Sequence, residues 1–208
     1  RPVGLPGIPE VTEQVGHRRR TEQLGRAQRQ TTDGPQLLLE HVNNLTLRRR
    51  LRRRGPLPVE RALPLALQLG AALHYLAAVH LDVKPSNVLL GTPPRLIDFS
   101  LARSFERARR VAQPLGTTAY MAPELCAPGE RGEIGPAADV WGLGATLYEA
   151  LAGHPPFGAG SGEAGPLYPQ LSRDPVPLPE AVPAALAQAT AAAAALAEWF
   201  RFGWGVLD

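Results

Sequence analysis

His80-Leu81-Asp82-Val83-Lys84-Pro85-Ser86-Asn87 is the stretch that decides how the rest of the chain is read. Within eight residues it sets an imidazole, a carboxylate, an ammonium and an amide, with a proline to hold the backbone between the last two. Lys84 is also the sole lysine among the 22 lysine and arginine residues of the chain. Three further stretches follow it in order. Asp98-Phe99-Ser100 comes eleven residues after Asn87, then Gly116-Thr117-Thr118-Ala119-Tyr120-Met121-Ala122-Pro123-Glu124, then Asp139-Val140-Trp141-Gly142-Leu143-Gly144.

Around these stretches the hydrophobic period sets the elements. Leu37-Leu38-Leu39 is a short apolar run that predicts a buried strand, and Leu45 to Arg54 a short basic helix ended by Gly55-Pro56. From Val59 to Leu76, apolar residues at helical spacing predict a helix with Pro64 in its second turn. Val88–Leu90 and Arg95–Ile97 predict two strands joined by the tight turn Gly91-Thr92-Pro93-Pro94. A long irregular stretch is expected up to about Pro136. Ala137 to Leu151 is apolar on nearly all sides, as for a helix buried in the core. An alanine-rich helix is expected from 184 to 197.

Composition narrows the function classes. The 208 residues suffice for one domain with a substantial core. The single cysteine, Cys126, excludes an internal disulfide framework and points to a reducing compartment, so a cytoplasmic location is expected. The alanine run is shorter than the ~20 apolar residues that cross a bilayer, and no membrane segment is expected. The net charge of +3 divides unevenly. Residues 1–54 hold 12 arginines against five acids, whereas residues 55–208 hold ten basic groups against 14 acids. The arginine runs lack aromatic platforms or a reader motif beside them, so they read as a solvated helix face and no nucleic-acid partner is expected.

The four stretches, in this order and near this spacing, resemble the protein kinase family. The first is similar to the catalytic loop H-x-D-x-K-x-x-N, the second to the magnesium-binding D-F-G, and the third to the end of an activation segment. The fourth is similar to the start of the buried central helix of the large lobe. Lys84-Pro85, with Thr117 ahead of Tyr120, resembles serine/threonine rather than tyrosine kinases, and the wording is similar to the actinobacterial branch.

The resemblance implies an α+β, mainly α fold: a kinase-like large (C-terminal) lobe with short strands around the catalytic loop. It implies ATP and Mg²⁺ as cofactors and a protein serine or threonine as the phosphoryl acceptor. Asp82 would orient the substrate hydroxyl and take its proton, while Lys84 would lie against the γ-phosphate. Asn87 and Asp98 would be the magnesium ligands, as hard oxygen donors. His80 would brace the loop and Asp139 hold its backbone from below. Ser100, Thr117 and Glu124 would belong to the activation segment, with Glu124 paired to an arginine late in the lobe; Arg201 is the only basic residue after Arg173. The carbonyl of Glu40 and the backbone of Val42 would meet adenine at the hinge.

Several positions depart from the family pattern. No glycine-rich loop precedes residue 36, and with Lys84 assigned no lysine is left for the nucleotide-anchoring strand. The expected organisation is therefore an irregular or non-native segment over 1–35 in place of the small lobe. Hinge and large lobe would occupy 36–200, truncated at the far end. Leu37 to Leu39 would then present an unpaired strand edge, and the fold would be marginal and prone to association. Leu81 stands where the family carries an arginine, which removes a reader for a phosphorylated activation segment. Ser100 replaces a glycine, which should stiffen the metal loop. The other reading is an inactive kinase fragment or pseudokinase that acts as a protein-binding surface.

Overall fold

The computed structural model describes residues 27–31, 34–38, 44–158, 167–184 and 186. They fall into two units that divide at Asn43. In the first, β1 (Ala27–Thr31) pairs antiparallel with β2 (Gly34–Leu38), from Ala27 opposite Leu38 to Thr31 opposite Gly34. The segment 1–35, expected to be irregular or non-native, contains the strand Ala27–Thr31. A polar strand of alternating Gln and Arg shows no apolar period, and cross-strand backbone bonding fixes it instead. Leu37 and Leu38, expected at an unpaired edge, thus have a partner strand. The alanine-rich stretch beyond 186 lies outside the described residues.

The second unit is mainly helical. Thr46 caps α1 (Leu47–Arg54), its hydroxyl accepting from the Arg49 N–H at 3.3 Å, which is why the helix starts after Leu45. Gly55, at φ 70°, ends it in a conformation that a side chain would resist. Next come α2 (Val59–His74), with Pro64 inside it, then β3 (Val88–Leu89) and β4 (Arg95–Leu96), which pair antiparallel. The stretch expected to be irregular contains two single-turn helices, α3 (Phe105–Ala108) and α4 (Pro123–Cys126). Each is too short for a 3.6-residue period to register in the sequence. The last long helix among the described residues, α5 (Pro136–Ala152), starts with proline at its first position and ends at Gly153, φ 84°.

Three apolar clusters hold these elements, the smallest formed by Ala62, Leu151 and Val182. Leu47 and Leu51 of α1, Leu65 and Leu69 of α2, Val88 and Ala150 form one. Val79, Leu81, Met121, Leu125, Ile134 and Trp141 belong to another. A fully buried leucine such as Leu47 or Leu69 contributes about 1.5–3 kcal/mol relative to exposure. The chain between α2 and β3, residues 75–87, contributes Val79 and Leu81 to the second of these clusters and meets α5 at Asp139 and Gly142. No helix among the described residues is long and apolar enough to cross a membrane.

Candidate active site

The His80–Asn87 loop is fixed from below by α5. Asp139, in the first turn of that helix, accepts from the His80 N–H at 2.6 Å and from the Leu81 N–H at 2.8 Å. Leu81 has φ 66°, which non-glycine residues adopt at a cost of about 1–3 kcal/mol unless their surroundings enforce it. The paired Asp139 bonds and burial of the Leu81 side chain provide that enforcement. Gly142 lets the loop come close: a Cβ there would lie 3.0 Å from both the Cβ and the carbonyl oxygen of Val83. Burial pushes the Asp139 carboxyl up to about 6, against the pull of the two N–H donors.

His80 is fully buried and its ring joins two loops. Nε2 lies 3.2 Å from the Ile97 carbonyl, which can only accept, so Nε2 carries the proton. Nδ1 then accepts from the Asp82 N–H at 3.3 Å. Burial lowers the pKa of the ring below its ordinary value, so the imidazole is neutral at pH 7. Its ring also packs on Phe99, with centroids 4.8 Å apart.

Three donors converge on the Asp82 carboxylate. Thr117 donates to Oδ1 at 2.8 Å, Lys84 Nζ lies 2.7 Å from Oδ2, and Asn87 Nδ2 lies 3.1 Å from Oδ2. Lys84 also donates to the Thr117 hydroxyl at 2.7 Å, which closes a ring of hydrogen bonds. Asn87 Nδ2 bonds the Asp82 carbonyl as well, at 2.9 Å, so the amide orientation is set and Oδ1 is its acceptor face. The fold thus gathers Asp82, Lys84, Asn87 and Thr117 from positions 35 residues apart.

Asp98 lies beside this group on the loop after β4. Its carboxylate is exposed and its backbone is left-handed, at φ 65°, which Asp tolerates better than most residues. The Ser100 hydroxyl, then the Ser100 N–H at 3.3 Å, hold the Asp98 carboxyl below its ordinary pKa and keep it ionised. The serine at the family's glycine position therefore caps the aspartate. Asp98 and Asn87 together offer one charged and one neutral oxygen, a donor set that suits magnesium, which usually keeps several waters and phosphate oxygens.

Glu124 is buried at the start of α4. Glu40, Val42 and Arg201 lie outside the described residues. One cluster was not anticipated from the sequence. Tyr120, buried, donates its hydroxyl to Glu149 of α5 and accepts from Arg48 of α1, whose guanidinium also lies 3.4 Å from Glu149. Gln170 adds bonds to the carbonyls of Thr118 and Met121, at 2.7 and 3.1 Å. These contacts tie the segment that carries Thr117 to the helices. The available signal was Glu149 itself, an acid in the interior of a largely apolar helix, which needs a cation or hydrogen-bond donors around it. The Cys126 thiol is pushed up to about 12 by burial and is not a nucleophile at neutral pH.

The sequence model described as the protein kinase domain matches residues 24–168. The chain belongs to the protein kinase family. Its relatives include the probable serine/threonine-protein kinase PkwA of Thermomonospora curvata, 36% identical over 156 residues. That alignment covers 72% of this chain and 20% of PkwA. Serine/threonine-protein kinase PknB of Mycobacterium leprae is 32% identical over 69% of this chain and 24% of its own length. Serine/threonine-protein kinase PknA of Mycobacterium tuberculosis is 37% identical, over 71% of this chain and 35% of its own length. The chain thus spans about a fifth to a third of the length of these relatives. The family match begins at residue 24, ahead of the boundary expected at 36, so it takes in both strands of the β1–β2 hairpin.

Proposed function

We propose that residues 36–200 form the hinge and large lobe of a protein serine/threonine kinase that transfers the γ-phosphoryl group of ATP to a protein hydroxyl. The observation that carries this reading is the convergence of Lys84, Thr117 and Asn87 on the Asp82 carboxylate. Phosphoryl transfer needs little covalent chemistry from the protein; it needs two oxygens held in line and the phosphate charge offset. Asp82, held from three directions, orients an incoming serine or threonine hydroxyl and takes its proton as the oxygen bonds phosphorus and ADP departs. Lys84 turns from Asp82 towards the transferred phosphoryl group, and Thr117 keeps Asp82 in position while it does so. Asn87 and Asp98 would hold Mg²⁺, which supplies charge neutralisation to the phosphates when bound. Glu40 and Val42 would hold adenine through their backbone. This reading takes a protein, not a nucleic acid, as the phosphoryl acceptor and the cytoplasm, where ATP is available, as the place of work.

A second reading has its own observation. With Lys84 committed to Asp82, no lysine among the 208 residues is available to anchor the nucleotide from a strand. This favours a kinase fragment or pseudokinase that serves as a binding surface. Calorimetric titration of the purified chain with ATP, with and without Mg²⁺, separates the two. The kinase reading expects magnesium-dependent binding that disappears in Asp98→Ala. No magnesium-dependent binding by the unaltered chain would leave the second reading in place.

A further inference from the structure

A groove of about 680 Å³ lies away from Asp82, between α1, the first half of α2 and the β3–β4 turn. Its floor is apolar: Leu65 is buried, and Leu57 and Leu90 pack against the same core cluster. Its rim carries Arg50 and Arg54 of α1 and Arg61 of α2, with Glu60 as the single acid. Two backbone bonds fix the walls, Leu57 N–H to the Ala150 carbonyl at 2.6 Å and Leu90 N–H to the Leu45 carbonyl at 2.9 Å. Arg50 is braced across the end of its helix by donating to the Gly55 carbonyl at 2.7 Å, while Arg54 and Arg61 are exposed. The groove is therefore preformed, and three guanidinium groups surround a floor that water solvates poorly.

We propose that this groove docks an acidic segment of a protein partner, with an aliphatic side chain on the leucine floor and flanking carboxylates against the arginines. Charge selects the class of partner: three cations face one anion, and guanidinium groups match carboxylates in paired geometry. The apolar floor distinguishes a peptide from a nucleic acid, since no lining residue is aromatic and none offers a base a stacking surface. If the partner is the phosphoryl acceptor, the groove deepens the kinase reading by holding the substrate away from the reacting hydroxyl; binding itself does not depend on catalysis.

Fluorescence anisotropy with the full chain tests this. The probe is a labelled twelve-residue peptide with Asp and Glu flanking a central Leu-x-Leu. Binding is expected to weaken roughly tenfold in Arg54→Glu/Arg61→Glu, and under about threefold in Arg52→Glu/Arg53→Glu, which makes the same charge change off the groove. Replacing the leucines of the probe with serine should weaken it by a similar factor. Equal losses in the two double variants, or a serine probe that binds as well as the leucine probe, would overturn the docking site in favour of a diffuse charge effect. Tighter binding of a single-stranded oligonucleotide or of phosphatidylserine vesicles would overturn the choice of partner. Asp98→Ala should leave peptide binding intact, so failure of nucleotide binding and failure of docking are read separately.

Discussion

Asp82 and Asp98 sit in neighbouring loops and are held in opposite ways. Asp82 is buried, and the loop that carries it is anchored over long sequence distances: to Asp139 and Gly142 of α5, to Ile97 through His80, and to Thr117. Asp98 is exposed and is capped by a residue two positions along the chain. On the proposed reading Asp82 is a base, which must be in position before substrate arrives because its geometry sets the rate. On the same reading Asp98 is a metal ligand, which has to exchange water for ion and so gains from exposure and local restraint. The difference predicts that perturbing the two loops has separable effects.

The largest expected effect is on turnover. Asp82→Asn should reduce phosphotransfer by about 10²–10⁴-fold, the usual range for losing a positioned base, while leaving magnesium-dependent ATP binding within about twofold. Asp98→Ala should remove that binding. Single-turnover transfer and calorimetry on both variants check the pair. Equal loss of binding in Asp82→Asn would show that the two loops form one ligand-dependent unit and break the comparison.

Stability should respond on the anchored side only. A Cβ at Gly142 meets the Val83 backbone, which cannot swing aside as a flexible side chain would. Gly142→Ala is expected to destabilise by about 1–3 kcal/mol through overpacking, set against a helix-propensity gain of about 1 kcal/mol. Urea denaturation measures the balance; a stabilised variant would mean that the loop has room to move.

Acidity gives a smaller and signed effect. The Asp139 carboxyl, raised from 3.8 to about 6, takes up a proton more readily in the folded chain than in the unfolded one. Its contribution to stability is thus complete below about 3.8 and is lost as pH rises through about 6. Protonation also replaces one acceptor oxygen with a hydroxyl, which loosens the grip on the His80 and Leu81 N–H groups. Activity should therefore fall below about pH 6 while this contribution to the melting temperature rises. The lowered His80 value acts the other way, with stability lost as pH falls below its ordinary 6.5. Comparing the unaltered chain with Asp139→Asn isolates the first term, with a slope of at most about 1.4 kcal/mol per pH unit. Identical profiles would remove Asp139 as the titrating group.

The contrast between the loops also explains which parts could be read from the sequence. The order His80–Asn87, Asp98, Thr117, Asp139 pointed to the family because each role needs a specific residue type in a short stretch. The buried helix α5 and the amphipathic α2 followed from their periodicity. Strand β1, by contrast, is polar and is set by its partner; α3 and α4 are single turns. The Arg48–Tyr120–Glu149 cluster joins three elements whose proximity exists only once the chain is folded. Within the run Arg48–Arg54, sequence treats the arginines alike. The fold sends Arg48 to a buried acid, braces Arg50 on a helix end and leaves others to solvent.

The smallest expected effect tests the local side of the comparison. Ser100 is expected to stiffen this loop as a substitute for glycine, and its hydroxyl and N–H also act on the Asp98 carboxylate directly. Ser100→Gly removes the hydroxyl and frees the backbone, so the pKa of the Asp98 carboxyl should rise towards its ordinary value of 3.8. At pH 7 the group remains ionised in either case, so charge does not change; only its orientation is released. Magnesium-dependent ATP binding should weaken by about two- to fivefold, in line with one net hydrogen bond of about 0.5–1 kcal/mol, and stability should move by less than about 0.5 kcal/mol. Carbon-detected NMR titration of Asp98 in the two chains reads the first effect and calorimetry the second. A large loss of stability in Ser100→Gly would mean that the exposed loop is anchored as deeply as the buried one, and the division between a preset base and an adaptable metal ligand would not hold.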